Sequence, residues 1–266
     1  MAKLERSFFD IDSLETLSNQ KTVVHKLDAR IKIITTLVFI IVVLSFNKYD
    51  LSGLLPFFIY PAFLLNAGNI PISVILKKII VLSPFIIIIG IFNPFLDHAE
   101  LYKIGRMSIS GGWISFLSII IRFLLTVSIS FILISITGFY QICFGLNKIG
   151  VPAVFSLQLM LMYRYIFLLI EESIRLVRAH NLRAFDNKIK FRHYIYMISY
   201  LLIRTIDRAE SIYNAMLARG FDGRLKIITG NKIGFKDIFF LVFWASFFVF
   251  FRLYNAGEYL GQFFVG

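Results

Sequence analysis

The residues of this chain best suited to directed chemistry are two arginines in near-identical surroundings. Asn181-Leu182-Arg183-Ala184-Phe185-Asp186-Asn187 is echoed by Leu217-Ala218-Arg219-Gly220-Phe221-Asp222-Gly223, with Arg, Phe and Asp in the same order. The position after Arg is small in both copies (Ala184, Gly220), and the last is a residue that tolerates left-handed backbone (Asn187, Gly223), as helix C-termini commonly require. Each copy therefore reads as a helix end. A guanidinium is planar, keeps its charge and offers several directed hydrogen bonds to carboxylates or carbonyls. Two such ends could grip the same feature twice on a partner with two equivalent subunits, and a dimer of nucleotide-binding ATPases is such a partner. A helix-end arginine also offsets the helix dipole by about 0.3–1 kcal/mol, but that role does not call for the Phe-Asp that follows each time.

Other chemistries lack their residues. No Gly-x-x-x-x-Gly-Lys-Ser/Thr loop is present to cradle nucleotide phosphates, so energy must arrive through a partner. His25, His98, His180 and His193 are scattered, without Cys or a near His at ligand spacing, so no cofactor metal is expected and a transported ion would be held on a separate subunit. His98 beside Asp97 and Glu100 could form a weak metal site, although loop clusters of this kind are usually solvated. Cys143 is the only cysteine and reads as a small core residue. No Ser-His-acid set, HExxH or paired acidic motif supports a membrane enzyme acting on lipids, and a plain membrane anchor would not need the repeated Arg-Phe-Asp ends.

The elements that must position these arginines follow from composition. With 58% hydrophobic residues, 30 Phe and a mean hydropathy of +0.77, the chain has more apolar surface than a soluble core of 266 residues could bury, so lipid must cover part of it. About 20 apolar helical residues cross a bilayer, and five runs qualify: 31–46, 51–67, 79–95 (interrupted by Pro84, which spanning helices tolerate), 113–137 and 238–254. No signal-peptide core precedes the first of them. Arg122 lies inside the fourth run, where a charge costs about 2.5 kcal/mol or more. A partner membrane subunit, a carbonyl within the bundle, or an interface reached by snorkelling would each satisfy it.

The net charge of +12 need not mean nucleic acid, because Lys and Arg gather on the cytoplasmic rim of membrane proteins. Lys21, Lys26, Arg30 and Lys32 precede the first run, Lys77 and Lys78 fall between the second and third, and no Lys or Arg follows Tyr254. The N-terminus is thus expected inside and the C-terminus outside. Residues 151–170 are also long enough to span, but a span there would export Arg175, Arg178, Arg183, Lys188, Lys190 and Arg192 against the bias. The expected fold is an all-α integral membrane protein: a cytoplasmic segment 1–30, four spans within 31–137, an inner-leaflet module of long coupling helices over 138–235, and a last span with an outer tail over 236–266. Within the module, Pro152 opens one helix carrying Arg164 and a Glu171/Arg175 pair. Ile195, Ile198, Leu202, Ile206, Ala209, Tyr213, Met216 and Gly220 mark one apolar stripe of the next, with Arg204, Arg208 and Arg219 off it.

The chain resembles a known family over nearly its whole length. The residues that carry the resemblance are His25-Lys26-Leu27-Asp28-Ala29-Arg30-Ile31-Lys32, Met162-Tyr163-Arg164-Tyr165, Arg208-Ala209-Glu210 and Ala215-Met216-Leu217-Ala218-Arg219-Gly220-Phe221-Asp222-Gly223. They are similar to the T components of energy-coupling-factor transporters, in particular the CbiQ branch that serves cobalt and nickel uptake. The resemblance implies two Ala-Arg-Gly-like motifs, here Leu182-Arg183-Ala184 and Ala218-Arg219-Gly220, docking into two ATP-binding-cassette ATPases, with a separate substrate-binding membrane subunit completing the importer. The first copy departs from the pattern at Leu182 and Ala184 and keeps its arginine. A T component of a vitamin importer is the alternative within the family.

Overall fold

In a computed structural model, residues 17–18, 20, 22–96, 100–104, 107–183, 191–221 and 233–254 are described. Asp97, His98, Ala184 and both Phe-Asp continuations from Asp186 and Asp222 onward fall outside them. The described chain forms two compact units that divide between Gly138 and Phe139.

The first unit holds α1 (Ala29–Leu44), a 3-10 segment (Ser52–Phe58), α2 (Ile59–Ala67), α3 (Ile72–Gly90), the short α4 (Asn93–Leu96), a hairpin of β1 (Glu100–Ile104) and β2 (Met107–Ser110), α5 (Gly111–Thr137) and α9 (Phe235–Leu253). Its core is aromatic. Phe39 of α1 meets Tyr60 at 5.2 Å and Phe248 at 5.3 Å, and Tyr60 meets Trp244 at 4.6 Å between ring centroids. Rings at such spacings add attraction beyond their buried area. Buried Ser115, Ser118, Ser128 and Ser135 line α5, since small side chains let membrane helices approach closely.

Several boundaries differ from the sequence expectation for physical reasons. The 51–67 run is not one helix: it opens as a 3-10 segment containing Pro56, which cannot donate to the ladder, and becomes α-helical only at Ile59. Helix α3 begins directly after Pro71, so Lys77 and Lys78 lie within it rather than in a loop before it. The 93–112 connection carries the antiparallel β1–β2 hairpin, pairing Glu100 with Ser110 and Ile104 with Met107. The left-handed Gly138 (φ 76°) ends α5 against the Ser18 hydroxyl, which a β-carbon there would approach to 2.9 Å.

A polar cluster joins the N-termini of α1 and α9. Asp28 caps α1 by accepting from Arg30 N–H, and the Arg30 guanidinium holds both Asp28 carboxylate oxygens at 3.0 Å. Asp237, 209 residues away, accepts Asp28 N–H at 3.0 Å and Gly234 N–H at 2.8 Å. Lys32 is 4% exposed and donates from Nζ to the His25 and Ile136 carbonyls at 3.4 and 3.5 Å, within electrostatic reach of both aspartates. Burial lowers the His25 pKa, and its ring sits 2.7 Å from Thr22 Oγ1 and 3.1 Å from the Leu17 carbonyl.

The second unit holds α6 (Phe139–Ile149), α7 (Ala153–Arg183) and α8 (Phe191–Ala218). Phe139 stacks on Tyr163 at 4.4 Å, fastening α6 to α7, and Cys143 is buried beneath, its thiol pKa pushed up by burial. Among the described residues, α3, α5 and α7 are long and apolar enough to cross a membrane. Helix α1 has 16 residues, while α9 carries Lys236, Asp237 and Arg252 within its 19. Length and composition alone therefore admit α7, which the charge bias would keep out of the bilayer. Along α3, Ile80, Val81, Phe85 and Ile88 are all more than 60% exposed. An apolar face of that extent suits lipid or a partner protein, and with three helices able to span, the protein is a membrane protein built on α-helices with one small hairpin.

Candidate functional site

Helix α8 ends where an L-residue would have to leave the right-handed region. Gly220 has φ 78°, its N–H donates to the Leu217 carbonyl at 2.9 Å, and Phe221 N–H donates to the Met216 carbonyl at 3.0 Å. These two bonds make a Schellman cap. The left-handed residue here is Gly220; Gly223 lies outside the described residues. No atom lies within 4 Å of a β-carbon built at Gly220, so glycine is required there by backbone strain alone, about 1–2 kcal/mol for another residue. The cap sets Arg219 at the exposed end of the helix.

Arg183 is the last residue of α7. Leu182, Arg183, Ala218, Arg219 and Gly220 are all exposed. Among the described residues, neither Arg183 nor Arg219 finds a hydrogen-bond or ion-pair partner, so both guanidinia remain available for an outside contact.

The two arginines are not neighbours. Helices α7 and α8 run antiparallel: Glu172 of α7 pairs with Arg204 of α8, and the His180 and His193 rings lie 5.3 Å apart near the turn. At the other end Arg219 shares a depression of about 420 Å³ with Arg164 and Tyr165 of α7. A helix of 28 residues spans about 42 Å, so Arg183 and Arg219 occupy opposite ends of one hairpin. That arrangement suits two well-separated docking points rather than a single binding pocket.

Helix α8 buries none of its residues. Ile198, Leu202, Ile206 and Tyr213, four residues of its apolar stripe, are all exposed. The stripe was legible in the sequence; its exposure among the described residues was not. The proximity of His180 and His193 was missed because 13 positions separate them in sequence and only the antiparallel pairing joins them. Arg164 was placed on its helix and in a motif but not linked to Arg219, with which it lines one depression. Arg122 lies in the other unit, where its guanidinium donates to the Asn47 carbonyl beyond the end of α1.

The family model described as cobalt transport protein, CbiQ, matches residues 20–228. An uncharacterised protein of Methanocaldococcus jannaschii is 29% identical over 82% of this chain and 78% of its own length. The energy-coupling factor transporter transmembrane protein EcfT of Bacillus subtilis is 26% identical over 76% of this chain and 82% of its own length. EcfT of Ruminiclostridium cellulolyticum is 27% identical over 77% and 83%.

Proposed function

Because this chain belongs to the CbiQ family of cobalt transport proteins, we propose that it is the coupling subunit of an ATP-driven importer, passing the motion of two ATP-binding-cassette subunits to a separate substrate-binding membrane subunit. The observation that supports the reading is the pair of exposed arginines, without a partner among the described residues, at opposite ends of the α7–α8 hairpin. Each ATPase of a dimer would receive one arginine, and the guanidinium fork would hold carbonyls or carboxylates of its groove. The uncovered stripe of α8 would lie against lipid or the substrate-binding subunit. Cobalt, the ion named in the family description, is the proposed cargo, with ATP hydrolysis left to the partners.

Tagged chain extracted in mild detergent from its native host is expected to bring down two ATPase subunits and one further small membrane protein, counted by native mass spectrometry. Recovery of the chain alone, under conditions that keep related complexes together, would count against the proposal.

The proposed topology is multi-pass in the cell membrane, with about five spans, an inside N-terminus, an outside C-terminus and the 138–235 module on the inner face, on the strength of the Lys and Arg distribution. With Cys143 replaced by Ala, an impermeant thiol reagent should label a cysteine placed at Gly266 in intact cells but not one placed at Asn187. The reverse pattern would refute the arrangement.

A further inference from the structure

We propose that the first unit holds a specific site for an anionic phospholipid in the groove between α2 and the N-terminal half of α9. The groove has a volume of about 1250 Å³ and is open at the surface, beyond the roughly 300–1,000 Å³ of ordinary small-molecule clefts. Its walls include Phe63 of α2 and Phe239, Phe243 and Trp244 of α9. Three of these, Phe63, Phe239 and Phe243, are exposed as well.

Charge is confined to one end. Lys26 stands two residues before Asp28, Lys236 directly precedes Asp237, and the Asp28 N–H to Asp237 bond brings these chain segments together. Both lysines are exposed and line the groove, whereas both aspartates are buried. Asp237 spends its two oxygens on backbone N–H groups and Asp28 accepts from Arg30. Asp237 itself lines the groove beside Lys236, but both of its oxygens are engaged by backbone N–H groups, so the two lysines supply the exposed charge at this end.

From Lys236 to Trp244 the helix advances eight residues, about 12 Å, along an aromatic wall. Two cations followed by an apolar trench match a phosphate headgroup followed by acyl chains. A zwitterionic lipid could fill the trench equally well but would gain less from the lysines. Each lysine near an anionic lipid surface is worth roughly fivefold in affinity. The site is independent of the coupling arginines, which lie in the other unit.

The test uses the protein's two tryptophans. Trp113 is exposed and removable, so a Trp113→Phe protein in nanodiscs leaves Trp244 as reporter, quenched by lipids brominated on their acyl chains. Brominated phosphatidylglycerol should quench half-maximally at a mole fraction at least about tenfold below brominated phosphatidylcholine, given two lysines. Lys26→Gln/Lys236→Gln should bring the two curves together, while Lys77→Gln/Lys78→Gln should leave them apart. Equal curves for the two lipids in the starting protein would overturn the site. So would a preference that survives Lys26→Gln/Lys236→Gln. Absence of quenching by either lipid would show that a protein surface covers the groove instead, and would equally overturn it.

Discussion

In a complete reconstituted complex, the Arg183→Ala/Arg219→Ala protein is expected to lose transport to background while still inserting normally into the membrane. Both side chains are exposed and find no partner among the described residues, so their removal costs the fold little. Their contribution would arise on docking, where deleting one partner of a buried, hydrogen-bonded charge pair costs about 2–5 kcal/mol. Because the arginines sit at opposite ends of the α7–α8 hairpin, the single variants should each retain part of the activity. Arg219→Lys should recover only a fraction, since an ammonium cannot reproduce the guanidinium fork. Uptake measured beside ATPase rate separates failed docking from uncoupling: the first lowers both, the second lowers uptake alone. Transport at the unaltered rate in the double variant would reduce the arginines to helix-end charges.

The largest effect on stability is expected at Asp237→Ala. The substitution strips the acceptor from two backbone N–H groups, those of Asp28 and Gly234, and removes one of the two carboxylates within electrostatic reach of the buried Lys32. Breaking a buried ionic group in this way costs about 3–5 kcal/mol, a large share of the roughly 5–15 kcal/mol that ordinarily holds a domain. Thermal unfolding in detergent, followed by tryptophan fluorescence, should shift down by about 10 °C or more. Asp237→Asn keeps one carbonyl acceptor and should fall between. An Asp237→Ala protein that melts with the parent would mean the cluster contributes nothing to joining α1 and α9.

What the sequence disclosed and what it concealed divide along a physical line. Continuous apolar runs mark elements well: the expected 113–137 run is α5 within two residues, because nothing polar enough to end a helix occurs inside it. Where a local backbone effect competes, the run misleads. Pro56 turns half of an expected span into a 3-10 segment, and Pro71 rather than the lysine pair sets the start of α3. The Arg183 and Arg219 repeat was visible because it is written twice in sequence. Its geometry was not, since the opposite-end placement depends on antiparallel pairing through Glu172 and Arg204 and through His180 and His193. Least legible was the Asp28, Lys32 and Asp237 cluster. Lys32 reads as one more inner-face charge by the positive-inside rule, and only the fold, which joins Asp28 to Asp237 across 209 residues, shows that it is buried within electrostatic reach of both carboxylates.

The role proposed for this chain is to couple ATP hydrolysis in partner subunits to passage of an ion held on another subunit. Its most direct test is labelled cobalt uptake into proteoliposomes containing the two ATPases, the substrate-binding subunit and this chain, with and without ATP. The account predicts uptake that requires both ATP and this chain, together with no hydrolysis by the purified chain alone. Cobalt uptake at an equal rate when the chain is omitted would contradict it.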